Sequence, residues 1–176
     1  MSRSEMNRHD GGPLSRSVNV ERLPQGRGAV TVEASQAECD ALARDFGIPG
    51  IRDLVGRFDL EGSLNRLRIT GTVEALVTQV CTVSLDPFEA KVSEPVEVEF
   101  TDTDQFVGTD AEDVDIPDPI VNGRIDFGAL TAEFLALGLD PYPRKPGIAF
   151  EQRQEDADEK PFAALARLRG GEPAPE

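Results

Sequence analysis

From Phe88 to Phe100 the chain alternates between apolar and polar residues. Phe88, Ala90, Val92, Val96, Val98 and Phe100 fall on one side, and Glu89, Lys91, Ser93, Glu97 and Glu99 on the other. A period of two sustained over thirteen positions is a β-strand with one buried and one wet face. Such a strand commits the fold to a sheet, because its backbone N–H and C=O groups need partners on neighbouring strands. Pro95 lies on the polar parity, where its missing N–H calls for a bulge or a sheet edge.

The segments upstream read as neighbours for that strand. Residues 51–59 and 63–73 are expected as strands joined by a turn at Leu60-Glu61-Gly62. In the second, Leu67, Ile69, Gly71 and Val73 alternate with Arg66, Arg68, Thr70 and Thr72. A third strand is expected over 76–85, where Val77, Cys81, Val83 and Leu85 share a parity with Gln79, the polar exception on that face. Short reversals between these strands imply antiparallel pairing. Residues 18–23 and 29–33 add two extended pieces around a turn at 24–28, and no phosphate-binding fingerprint surrounds Gly26-Arg27-Gly28.

Two helices complete the pattern. Ser35-Gln36-Ala37-Glu38 is a capping box, opening a helix to Phe46 with Ala37, Leu42, Ala43 and Phe46 as its apolar side. Gly47 and Pro49 stop it, and Cys39 is expected as a semi-buried packing residue. The second helix is the centre of the domain. Asp118-Pro119 and Asn122-Gly123 are turn dipeptides, and Asp126 stands at the N-cap position. Phe127, Leu130, Phe134 and Leu137, widened by Leu135 and Leu139, then form a stripe with Glu133 as the single charge, as far as Asp140-Pro141. The fold class is therefore α+β: a curved antiparallel sheet of five or more strands packed against two helices.

The chain divides into a disordered tail over 1–16, a single domain over 17–150, an acidic linker over 151–159, a docking amphipathic segment over 160–169 and a frayed tail over 170–176. Within the domain, 101–118 reads as an acidic loop, since ten carboxylates and no Lys or Arg lie between Glu94 and Asp118. The formal net charge is -15, which disfavours a broad nucleic-acid surface and favours basic protein partners. No run approaches the length of a membrane span, the N-terminus lacks an apolar signal region, and Cys39 and Cys81 in unrelated contexts suit a reducing cytoplasm.

Catalytic chemistry has little to stand on. The one histidine, His9, lies in the tail, so neither a nucleophilic triad nor a Cys/His metal site can be assembled, and no cofactor is expected. Asp110, Glu112, Asp113 and Asp115 lack the spacing and glycine of a calcium loop. Arg66 and Arg68 on one strand face, with Arg124, Arg144 and Lys145 bracketing the central helix, offer a small basic patch to weigh against the acidic bulk.

The central stretch, 116–147, resembles the YceD-like proteins, the bacterial large ribosomal RNA subunit accumulation family. The likeness rests on an acidic-Pro-Ile approach, a Gly-x-Ile-Asp-Phe turn into a Glu-containing apolar helix, and a Pro-rich exit. The strand pair around Cys81 to Phe100 and the block Lys160-Pro161-Phe162-Ala163-Ala164-Leu165 agree with it, so the likeness covers 62–169. Many members carry Cys-x-x-Cys where this chain has Cys81-Thr82-Val83-Ser84, so a thiolate metal site is not a common basis of function unless this branch has lost it.

The resemblance implies a non-enzymatic factor in accumulation and processing of large-subunit ribosomal RNA. Composition adds a basic ribosomal or assembly protein as the expected partner, met through Asp110, Glu112, Asp113, Asp115, Asp118, Asn122 and Arg124. The first alternative is direct RNA binding through Arg66, Arg68, Arg144 and Lys145, and the second a carboxylate-based, metal-dependent hydrolase.

Overall fold

The computed structural model describes residues 12–21, 23–102 and 117–148. The expected linker, the docking segment over 160–169 and Asp110, Glu112, Asp113 and Asp115 lie outside them. In chain order the elements are β1 (Ser17–Asn19), β2 (Arg27–Glu33), α1 (Gln36–Phe46), β3 (Gly50–Ser63), β4 (Arg66–Val80), β5 (Pro87–Asp102), β6 (Asp118–Ile120), β7 (Arg124–Asp126) and α2 (Phe127–Leu137). A single 3-10 turn, Pro24–Gly26, precedes β2.

Five strands form an open sheet in the order β2-β3-β4-β5-β6. The first four pair antiparallel, as the short reversals require. The short β6 joins β5 in parallel, with Phe100 opposite Asp118, so the α+β expectation holds while the sheet is mixed. β1 and β7 make a separate two-stranded antiparallel ribbon. No helix among the described residues is long and apolar enough to cross a membrane.

The expected strands over 63–73 and 76–85 are one element. Leu67, Ile69, Val73, Ala75, Val77 and Gln79 are all buried on a single parity, so nothing in the pattern breaks β4 between 73 and 76. Its partner β3 runs through the expected turn at 60–62 to Ser63, and the reversal falls at Leu64-Asn65. The Gln79 exception is resolved by its Nε2, which donates to the Asp140 carbonyl at 3.0 Å. Beyond Val80 the chain turns rather than continuing, which leaves Leu85 75% exposed at φ 61 instead of facing the core. β5 matches its alternation and extends to Asp102, trimming the expected acidic loop. Pro95 pairs opposite Thr72 on a part of β5 with no strand on its other side among the described residues, the edge position its missing N–H calls for.

Both helices begin where their caps are. Ser35 and Glu38 close the capping box, and Gly47 ends α1 in the left-handed region. Cys39 is buried beside Leu42 and Ala43, while Ala37 is exposed. α2 ends at Leu137, short of the expected Asp140. Its buried line runs through Phe127, Thr131 and Leu135, joined by Leu130, and it leaves Leu137 67% exposed. Thr131 is tolerated in the core because its hydroxyl donates to the Phe127 carbonyl at 2.7 Å. The Phe127 ring meets Phe58 of β3 at a centroid distance of 5.3 Å and a tilt of 52°. Burying side chains of this size contributes about 1.5–3 kcal/mol each and pins α2 to the sheet.

The folded chain reaches back into the segment expected as a tail. Leu14 is fully buried in the core, and Ser15 and Arg16 lie directly on the first turn of α2.

Candidate functional site

The turn that joins β6 to β7, and the strands either side of it, carry three of the expected partner-binding residues. Asn122 at φ 51 and Gly123 at φ 66 form the tight turn between the two strands, a conformation that an Asn-Gly pair accepts. The turn places Asp118 and Asn122 on the solvent side, while Ile120 and Ile125 enter the core. Arg124 is tied back to β1: its Nε donates to the Ser17 hydroxyl at 2.9 Å and its second terminal nitrogen to the Ser17 carbonyl at 2.7 Å.

Asp126 ends β7 and caps α2. Its Oδ1 accepts from the amides of Gly128 at 2.9 Å and Ala129 at 3.1 Å. The same oxygen accepts the Arg16 amide at 2.7 Å, and Oδ2 accepts the Ser15 hydroxyl. Burial pushes this carboxyl up, but the four hydrogen bonds together outweigh it and hold the group below its ordinary range. The Phe127 amide returns a bond to the Arg16 carbonyl at 3.0 Å. Arg16 then reaches α1 with both terminal nitrogens, at 2.8 and 3.0 Å from the Glu38 carboxylate. With Arg16 first, then the Ser35 amide and hydroxyl, Glu38 is pulled down to about 2. Asp126 is a structural acid with both oxygens occupied.

Between this turn, the strap at Ser15 and Ser17, and α2 lies a groove of about 830 Å³. Phe100, Ile125 and Leu130 form its apolar floor, each under a tenth exposed. Pro119 and Val121 wall it, with Val121 50% exposed. Asp118 and Glu133 stand on its rim, exposed and in no ion pair with a described residue. Asp118, Asn122 and Arg124 are thus brought to one site. The apolar floor was missed, because Phe100 and Leu130 belong to two separate periodic patterns that only the tertiary fold joins.

The cations of the alternative patch are not brought together. Arg66 makes a two-pronged pair with Glu99 at 3.0 and 3.1 Å, and Arg68 pairs with Glu97. Arg144 and Lys145 lie at the other end of β4, where the Thr82 amide donates to the Pro143 carbonyl at 2.9 Å and Lys145 sits 3.9 Å from Asp86. Val80 lies twelve steps along the strand from Arg68, a span of about 40 Å.

Cys81 opens the turn at that far end. Hydrogen bonds from the Ser84 hydroxyl and amide, and from the Lys145 amide, hold its thiol down at about 6. Among the described residues, no three His, Cys, Asp or Glu side chains stand close enough together to hold a metal ion.

No curated protein and no solved structure matches the chain significantly. Residues 69–169, more than half of its length, match the model of the family described as Large ribosomal RNA subunit accumulation protein YceD, and the chain belongs to that family.

Proposed function

We propose that this chain is a non-enzymatic cytoplasmic factor for accumulation and processing of large-subunit ribosomal RNA, and that it works by holding a basic ribosomal or assembly protein on its acidic surface. The family's description supplies the ribosomal context. The mode of action rests on one observation: the described cations are mostly neutralised within the molecule. Arg16, Arg27, Arg52, Arg57, Arg66, Arg68, Lys91 and Lys145 each pair with a carboxylate. What the surface offers a partner is therefore surplus negative charge, which repels a phosphate backbone and attracts lysine- and arginine-rich protein. Direct RNA binding through Arg66, Arg68, Arg144 and Lys145 is the weaker reading, since Arg66 and Arg68 are each engaged by a glutamate.

Asp102 and Pro117, the described residues flanking 103–116, stand beside β6, and that segment's sequence adds Asp110, Glu112, Asp113 and Asp115. Changing these four to Asn or Gln tests the reading through capture of the protein fraction of the large ribosomal subunit. The expected result is weakened capture with unchanged melting. Capture unchanged at low salt would remove those carboxylates from the interface.

A further inference from the structure

The groove between β6, β7 and α2 combines two features that recognise different parts of one ligand. Its floor of Phe100, Ile125 and Leu130 offers apolar contact, while Asp118 and Glu133 on its rim have no ion partner among the described residues. The other charges lining it are held in place: Arg124 is hydrogen-bonded to Ser17, and Asp126 to the strap and its own helix, so that three carboxylates face one guanidinium. The volume, about 830 Å³, lies within the ordinary range of ligand-binding clefts. An apolar floor with a carboxylate rim complements an apolar side chain flanked by cations, and it disfavours an anionic ligand.

We propose that this groove docks a peptide segment in which a bulky aliphatic or aromatic side chain is flanked by lysine or arginine. The apolar side chain sits on Phe100, Ile125 and Leu130, and the flanking cations meet Asp118 and Glu133. The assignment rests on the basic-partner reading above and names where on the surface, and by what chemistry, the partner is gripped. Ala129, exposed on the first turn of α2 and lining the groove, is the position from which the site can be blocked.

The test is a titration of the full chain with a fluorescein-labelled octapeptide, Gly-Lys-Arg-Phe-Leu-Lys-Arg-Gly, followed by anisotropy. A second octapeptide carries Ser-Ser in place of Phe-Leu. The groove predicts saturable binding of the first peptide, at least about tenfold weaker binding of the second, and a similar loss in Ala129→Arg. The double variant Asp118→Asn/Glu133→Gln is expected to lose about threefold to tenfold at low salt and to show a flatter salt dependence. Leu85→Ser, at the opposite end of the sheet, is the control and leaves the titration unchanged. Failure of the wild-type chain to bind the first peptide overturns the groove, as does binding indifferent to Ala129→Arg. So does displacement of the peptide from the groove by an oligouridylate. If Ala129→Arg loses the peptide but captures large-subunit proteins as well as wild type, the proposal fails at the level of the partner while the acidic-surface reading stands. If neither the peptide nor those proteins are captured by the wild-type chain, both fail.

Discussion

Asp126 holds the backbone of Arg16: the Arg16 amide donates at 2.7 Å to the carboxylate oxygen that also caps α2. One side chain joins residues 110 apart in sequence and fixes the strap that walls the groove. This sets what its removal costs. A lost cap alone is about 1 kcal/mol, and the released strap bonds add to it, so Asp126→Ala is expected to destabilise by about 2–3 kcal/mol. Asp126→Asn keeps the capping oxygen and recovers the larger part, while Asp126→Ser, too short to reach both helix and strap, recovers less. Chemical denaturation of the three variants checks the order, and equal recovery by Ser and Asn would mean that the strap contributes nothing.

Gly128 gives a prediction opposite in sign to helix propensity. Replacing a helical glycine by alanine ordinarily stabilises, by about 1 kcal/mol in a helix interior, and Gly128 is the second residue of α2. Here a Cβ would stand 2.6 Å from the Arg16 nitrogen and 2.7 Å from the Ser15 Cα, which are strap atoms that cannot turn aside. Gly128→Ala is therefore expected to lower stability by about 2 kcal/mol and to speed hydrogen exchange at the Arg16 amide. A rise in melting temperature would show that the strap lies elsewhere in solution.

Acid should loosen the same junction. Glu38 is depressed from an ordinary 4.5 to about 2 by Arg16 and the capping box, and Asp126 is lowered as well. A carboxyl depressed on folding stabilises the protein above its unfolded value, and that stability is lost as pH falls toward the folded one. Melting temperature should therefore fall between roughly pH 4.5 and 2, and Glu38→Gln should flatten that slope while lowering the neutral-pH plateau. An unchanged slope would detach Glu38 from acid stability.

Cys81 should titrate as an acidic thiol. In a Cys39→Ala background, thiolate absorbance is expected to rise with a midpoint near pH 6, because the Ser84 hydroxyl and amide favour the anion. Ser84→Ala should move the midpoint upward. A wild-type midpoint in the ordinary thiol range would mean that the Ser84 hydroxyl does not reach the sulfur.

Much of this architecture is legible locally. Ser35 and Glu38 announce α1, Asp126 announces α2, Asn122-Gly123 announces the turn from β6 to β7, and the alternation from Phe88 to Phe100 announces β5. Each is a signal written in one contiguous stretch of the chain. What escapes local reading depends on contacts distant in sequence. The parallel seat of β6 on β5, the ribbon joining Ser17 to Asp126, and the burial of Leu14 carry no periodicity of their own. Thr131 replaces Leu137 on the inner line of α2 because its hydroxyl is satisfied inside its own helix, so hydropathy misplaces the stripe by part of a turn. The candidate site divides likewise. Asp118, Asn122 and Arg124 stand out as turn and charge residues, but their apolar floor exists only after folding.

The proposed route from this chain to the ribosomal particle is through basic protein. The measurement that decides it is capture of partners of the intact chain from lysate, with and without nuclease, with large-subunit proteins and ribosomal RNA measured in the same eluate. Nuclease is expected to remove the RNA while one or more basic large-subunit or assembly proteins remain bound, and rising salt is expected to release them. Loss of every such protein on nuclease treatment, with RNA retained by the untreated chain, would contradict it.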